Sequence, residues 1–480
     1  MQGAGAPSRF TLPSLVAVRI CYVVVAQEAT LLTGVIEGFY GPPWSQDQRL
    51  QVFEWMSAWG LNTYLYCPKD DLHHRAIWRA PYPARDAATL GALVRACHAR
   101  DLRFIYGLGP GLDIRYSDAR DVERLRDRFA QMLGLGCRHF ALLFDDIPDR
   151  VDADDMARWS SLAAAQAHVA NTSLAWLREQ RSDVALAFCP TPYCGRMATA
   201  QHGGPGYLEI LGRELAPDID VCWTGPEIVS DEISVGHVRD VQALLRRKPI
   251  LWDNLHANDY DGRRFVCGPY AGRPQDLRGE VRGILSNPNT EFPLNYVPLR
   301  TLAAFVQSTS PWDARGSYLS AMAEWLPSFD TVGGPADIDL LVLLGDCYYL
   351  PGEEGPTATA LYDLARRALS NAPGDWRAAG EAFVRDATRL RDFCAGLATL
   401  RDRPLFYALN RRVWDLREEL DLLIRCVDAR RSSPEGEIPV LRSDFHLPGT
   451  YRGGMAARLQ RLLVQHPDGA FTPSATEDEA

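Results

Sequence analysis

Between residue 31 and about residue 308 the chain alternates between two textures. Short apolar runs recur: "LLTGVIEGFYG", "LNTYLYCPK", "LRFIYGLGPG", "CRHFALLFDD", "VALAFCPTPYCG", "IDVCWTGP", "PILWDNLHAND" and "VRGILSNPN". Between most of them lie stretches with apolar residues three and four apart, the spacing of one helix face. In "SQDQRLQVFEWMSAWG" Ser45 and Gln48 predict a capping box and Gly60 a helix end. "DARDVERLRDRFAQMLGLG" carries acids in its first turn and a glycine at its close, as the helix dipole favours. Strands alternating with helices predict a parallel α/β sheet. Eight strand candidates in succession predict a closed (β/α)8 TIM barrel rather than an open doubly wound sheet. No GxGxxG or Walker loop follows the first strand, which weighs against a dinucleotide site.

Past residue 308 the pattern changes. "STSPWDARGSY" reads as a linker, and long helical patterns follow in "DWRAAGEAFVRDATRLRDFCAGLATL" and "PLFYALNRRVWDLREELDLLIRCVDARR". The expected organisation is a poorly ordered N-terminal extension over 1–30 and a catalytic barrel over 31–310. A linker over 311–335, an α-helical bundle domain over 336–465 and a polar tail over 466–480 complete it. The stretch "LPSLVAVRICYVVVAQEA" resembles a signal peptide in its apolar run, but Arg19 interrupts it. A poorly ordered extension or an upstream start is the competing reading.

Composition narrows the function classes. Of 480 residues, 46% are hydrophobic and 23% charged, as in an ordinary soluble globular protein. A formal net charge of -10 argues against nucleic acid as the main partner, because a phosphate backbone needs a basic footprint. The 11 cysteines form no CxxC pair and read as reduced thiols, which points to a cytoplasmic location. No other stretch reaches membrane-span length without charges. No metal and no cofactor is expected: His256 with Asp259 could join Asp145 and Asp146, but no HxH or HExxH spacing occurs.

A barrel does its chemistry where its strands surface at their C-terminal ends. There the chain places Lys69, Asp70 and Asp71, then Asp145 and Asp146, Tyr193, "ILWDNLHAND", and Asn287 with Asn289. Five apolar residues precede Asp145 and Asp146, so both acids emerge directly from the core. Two close carboxylates repel and tend to hold one proton between them, which would supply an acid and a base. The alternative is that one aspartate caps the next helix. Lys69 is either a donor to a substrate hydroxyl or a surface lysine, Asp70 and Asp71 are expected to cap or brace the loop, and Trp223 and Trp252 to pack in the core.

The strings "GVIEGFYGPPW", "NTYLYCPKDD", "FIYGLGPGLDI", "FALLFDDI", "FCPTPYCG", "VCWTGPEIVS", "LWDNLHANDYDGRR" and "GILSNPNTEFPLNYV" closely resemble the O-GlcNAcase family, the β-N-acetylglucosaminidases of glycoside hydrolase family eighty-four. The resemblance covers nearly all of residues 33–305, and "CYYLPGEEGP" and "LFYALNRRVWDLREEL" resemble the helical stalk of the animal-type enzymes. It implies retaining, exo-acting hydrolysis of terminal β-linked GlcNAc, with the sugar's own 2-acetamido oxygen as nucleophile and an oxazoline intermediate. By the same resemblance, Asp145 polarises the acetamido N–H and Asp146 is acid, then base. Gly38 offers its carbonyl to a sugar hydroxyl, Lys69, Asn254, Asp259 and Asn287 make polar contacts, and Tyr193 and Trp252 line the acetamido pocket. One departure is Pro192 directly before Tyr193. The implied partner is a β-GlcNAc-bearing glycoprotein or glycan, with a homodimer through the helical region, unless the apolar face of residues 404–426 packs on its own bundle. Competing readings are hyaluronan or glycoconjugate trimming, a metal-dependent barrel hydrolase, and a non-catalytic sugar-binding relic.

Overall fold

The computed structural model describes residues 30–148, 152–370, 374–433, 436, 440–442 and 453–474. The expectations for the stretch before residue 30 therefore lie outside the described residues. Eight parallel strands close in chain order: β1 (Leu32–Glu37), β2 (Thr63–Tyr66), β3 (Arg103–Leu108), β4 (His139–Leu143), β5 (Ala185–Cys189), β6 (Asp220–Trp223), β7 (Ile250–Asp253) and β8 (Gly283–Ser286). Closure pairs Leu32 with Gly283 and Val35 with Ser286. This is the TIM barrel that the alternation predicts.

Side chains on a strand alternate between its two faces, and the barrel sorts them by size. Leu65, Cys67, Ile105, Ala141, Leu143, Ala187, Cys189, Cys222, Ile250 and Leu285 pack together in the interior. Their neighbours Tyr64, Tyr66, Phe104, Tyr106, Phe140, Leu142, Phe188 and Trp223 face the surrounding helices. The ten cysteines among the described residues are free and buried, and three of them serve as small interior side chains.

The helices begin where the chain chemistry directs. Ser45 accepts from the Gln48 amide at 3.2 Å while the Gln48 side chain accepts from the Ser45 amide at 2.8 Å, starting helix Gln46–Ala58. Asp118 caps Ala119–Gly134. Past the barrel, the stretch read as a linker holds a further helix, Ala314–Trp325, capped by Asp313. Tyr318, Ala321, Met322 and Trp325 form its buried stripe. Residues 463–473, at the start of the expected polar tail, also carry structure: Leu463–Gln465 and Ala470–Pro473 pair antiparallel around a turn with Gly469 at φ +78°. Burial of Ala470 and Phe471 anchors that hairpin.

The helical region shares its core with the barrel. One apolar cluster runs from Leu251 and Ile284 through Phe265 and Tyr348 to Leu416 and Leu420 of helix Arg403–Ser432. Polar contacts follow the same seam: Arg412 donates to Glu291 at 2.6 Å, and Glu291 also accepts from Asn258 at 2.8 Å. The helices thus grip the loops that follow β7 and β8.

Under the barrel mouth a fully buried pair ties β7 to the loop after β6. Arg273 donates to both Asp253 oxygens at 2.8 and 2.7 Å and to the Ser230 and Asp231 carbonyls at 2.7 Å. Tyr270 donates to Asp253 as well. Burial would push the Asp253 carboxyl up, but Arg273 and these hydrogen bonds hold it below the usual range. Its stabilising contribution is present above the unfolded carboxylate value and lost as pH falls through the folded one. Removing one partner of such a pair costs about 3–5 kcal/mol. Arg273→Met is expected to lose that much in denaturant unfolding at pH 7. Arg273→Lys should recover only part, because one ammonium cannot replace the planar fork; full recovery by lysine would contradict this account.

Candidate active site

The site inherits the strand phase. Leu65 and Cys67 point into the barrel, and two residues on so does Lys69. The same step leads from Ala141 and Leu143 to Asp145, from Ile36 to Gly38, from Ile250 and Trp252 to Asn254, and from Leu285 to Asn287. Together with Asp146, Tyr193 and Asp259 these residues line one cavity of about 570 Å³ at the C-terminal mouth. The nine residues to which the resemblance gives a role therefore meet in one place.

The two acids do not share their surroundings. Lys69 is buried, not a surface lysine, and its ammonium pairs with the Asp145 carboxylate. Burial would raise the Asp145 carboxyl, but Lys69 beside it holds it below the ordinary range. The same carboxylate overcomes the burial that would push the Lys69 ammonium down, and raises it. Asp146 instead accepts from the Tyr193 hydroxyl at 2.7 Å and from the Tyr40 hydroxyl at 3.0 Å. Its φ of +49° lies in the left-handed region, which costs a non-glycine residue about 1–2 kcal/mol. This turn is what brings a residue of the opposite strand phase back to the cavity. Adjacent in the chain, the two acids thus have different partners.

The remaining groups complete a wall of fixed polarity. Asn287 donates to the Asn254 side-chain oxygen at 2.9 Å, and Asn254 donates to the Ile228 carbonyl at 2.8 Å. That chain leaves the buried Asn287 Oδ1 without a protein partner at the cavity wall. Asp259 accepts from the Tyr40 amide at 2.9 Å, and burial raises its carboxyl. Trp252 forms an apolar wall, with the Lys69 ammonium 5.7 Å from its ring centre. A Cβ on Gly38 would lie 2.5 Å from the Trp252 ring, so only glycine lets the main chain approach here.

Other residues named from the sequence have structural places. Asp70 accepts from the Gly41 amide at 3.0 Å, and Asp71 from the Tyr66 and Tyr82 hydroxyls at 2.7 Å, so both brace the loop as expected. Trp223 is core, with its indole N–H on His237 at 2.9 Å. Trp252, for which strand packing alone suggests the core and the resemblance a pocket wall, lines the cavity. Asn289 is turned away, donating to the Val266 carbonyl at 3.0 Å and accepting from its amide at 2.8 Å. His256 is buried against the Gly268 carbonyl, and burial pushes it down to about 4. Among the described residues no group of three or more His, Cys, Asp or Glu is arranged to hold a metal ion. Sequence reasoning missed Tyr40, Thr224, Arg196 and Glu227, which also line the cavity. Tyr40 follows Gly38 by two residues, and that phase was the available signal.

The family described as beta-N-acetylglucosaminidase matches residues 33–331, which include every cavity residue named above. The chain belongs to the beta-N-acetylglucosaminidase family. Curated relatives in this family include the protein O-GlcNAcases of Rattus norvegicus and Mus musculus, each 44% identical over 277 residues. Those matches cover 58% of this chain but only 30% of either relative. Among solved structures, a mutant O-GlcNAc hydrolase of Thermobaculum terrenum aligns with a TM-score of 0.74 and 29% identity. That alignment covers 84% of this beta-N-acetylglucosaminidase-family chain and 85% of the other, so the likeness extends past the barrel into the helices.

The Lys69–Asp145 pair generates a testable consequence. In Lys69→Met the buried carboxylate loses its ion-pair partner, at a cost of about 3–5 kcal/mol near neutral pH. Its folded pKa then rises above the unfolded one, so the penalty fades as pH falls and the group protonates. Denaturant midpoints at pH 7 and pH 4.5 should show the larger loss at pH 7; equal losses would mean the pair is not ionised.

Proposed function

We propose that the chain is a retaining exo-β-N-acetylglucosaminidase that removes β-linked GlcNAc from serine or threonine of proteins by substrate-assisted catalysis. The observation that carries this reading is the division of labour between adjacent acids, one ion-paired and one held by tyrosine hydroxyls. Asp145, kept anionic by Lys69, suits a fixed acceptor for the acetamido N–H. Its charge becomes more valuable as positive charge develops on the oxazoline. In the first step the acetamido oxygen bonds to the anomeric carbon, the glycosidic bond breaks, and the proton of Asp146 goes to the departing oxygen. In the second step water attacks the same carbon, its proton returns to Asp146, and the oxazoline ring opens with the β configuration restored. When Asp146 carries its proton, that O–H points at the departing oxygen, and each carboxyl oxygen keeps a lone pair for its tyrosine hydroxyl.

Protein-borne O-GlcNAc is preferred over other glycans because the rat and mouse relatives are protein O-GlcNAcases. A reducing compartment fits the free, buried cysteines. No helix among the described residues is long and apolar enough to cross a membrane. A homodimer through the helical region forms part of the same proposal. Most of the apolar residues in 404–426 pack within the chain, but Tyr407 and Trp414 stay 70% and 52% exposed on one face of Arg403–Ser432. Light scattering tests it, and a monomer at micromolar concentration ends the dimer.

Asp146→Ala should cut turnover of substrates with poor leaving groups by about 100- to 10,000-fold while sparing activated aryl glycosides more. Asp145→Ala should damage both classes, because ring closure itself is lost. Equal losses in both variants on both substrates would overturn the assignment, and loss of activity with chelator would favour a metal-dependent reaction. Activity should persist on the acid side until pH falls through the depressed Asp145 value, below the ordinary carboxylate figure of about 4. In Lys69→Met this acid limb should move to higher pH.

A further inference from the structure

We infer that Arg75 is a positioning residue for Asp146, holding both the left-handed turn that aims this carboxylate and the tyrosine hydroxyl that braces it. The inference rests on the proposed role of Asp146 as acid and base. Arg75 lies in the loop after β2 and is buried, at 9% exposure. Buried cations are normally neutralised by a carboxylate. Among the described residues, however, no carboxylate lies within ion-pair distance of Arg75, although Lys69 and Arg79 on either side both have one.

Its donors go elsewhere. Nη2 donates to the main-chain carbonyl of Asp146 at 2.6 Å, and Nη1 donates to the Tyr40 hydroxyl at 2.7 Å. Tyr40 in turn donates to Asp146 Oδ2 at 3.0 Å. One guanidinium therefore reaches both the backbone and the side chain of the same aspartate. A planar fork with several fixed donors can do this, and a single ammonium cannot. The permanent charge matters too. While Asp146 gives up and regains a proton, Arg75 can never become an acceptor, so its grip on the Asp146 carbonyl is the same in both protonation states. With the Tyr40 oxygen occupied by this donor, the Tyr40 proton is directed toward the carboxylate. The left-handed φ of +49° at Asp146 is the local strain that such a clamp offsets.

The test compares kcat/KM on a nitrophenyl and on an alkyl N-acetyl-β-glucosaminide, for wild type, Arg75→Gln, Arg75→Lys, Asp146→Ala and the Arg75→Gln/Asp146→Ala double variant. The ratio of the two rates comes from one preparation, so partial misfolding lowers both and leaves it unchanged. With Arg75→Gln we expect a loss of about 100-fold on the alkyl glycoside, the scale of acid catalysis, against about fivefold on the nitrophenyl one. Arg75→Lys should fall between wild type and Arg75→Gln. In the Asp146→Ala background, Arg75→Gln should not alter the ratio further. An active wild type whose ratio is unchanged by both Arg75 variants overturns the inference, as does a further change of ratio in the double variant. A wild type that cleaves neither glycoside sinks the glycosidase reading, and this one with it.

Discussion

A closed parallel barrel allows each strand two faces, and whichever residues share the interior phase must arrive at its mouth together. That constraint decides the position of nearly every group in the cavity. Lys69 faces inward because Leu65 and Cys67 do, and Asp145 because Ala141 and Leu143 do. The ion pair between them joins loops 76 residues apart in the chain and closes the top of the interior layer. Asp146 escapes the rule only by a left-handed turn, and the price of that turn is a clamp of hydrogen bonds from Arg75 and the hydroxyls of Tyr40 and Tyr193.

Adjacent acids would otherwise be hard to distinguish. In solution two neighbouring aspartates differ little, and their repulsion sets a common titration. Here one of them is assigned a lysine by the barrel phase, while the other is assigned phenolic donors by the loops after β1 and β5. The division of roles that the family resemblance implied is therefore supported by a local asymmetry of charge. The helical region contributes at second hand: Arg412 grips Glu291, Glu291 holds Asn258, and Asn258 precedes Asp259 in the cavity wall.

What could be read from the chain was whatever is encoded within a few residues. The period-two runs, the Ser45–Gln48 box and the acids after "FALLF" are local, and they sufficed for the barrel and its mouth. The partner of Asp145 was not legible, because pairing across 76 residues leaves no mark in either segment. Arg75 was hidden for the same reason, sitting among "HHRAIWRAPYP" with nothing local to distinguish it from a surface arginine. Helix Ala314–Trp325 was obscured by its start, where "SPWDARGS" has turn composition, although Tyr318, Ala321, Met322 and Trp325 carry the helical stripe. The apolar spacing of 404–426 was legible, but whether it faced its own bundle or a partner depends on helices supplied from elsewhere in the chain.

The layer beneath the acids bears on the same electrostatics. Cys67, Cys189, Cys222 and Ala141 are small and weakly polar, so the Lys69–Asp145 pair rests on a medium of lower dielectric than water, where its attraction is stronger. A thiolate there would compete with Asp145 for the lysine, and Cys67 is close enough for Lys69 to favour its ionisation. Burial acts more strongly in the opposite direction and raises all three thiols, so they stay neutral. The thiols therefore place no rival anion beneath Lys69. A serine layer of similar size would stay neutral too, but its hydroxyls would demand hydrogen bonds that this interior does not provide. Cysteine is the side chain that fills the space while making almost no electrostatic claim of its own.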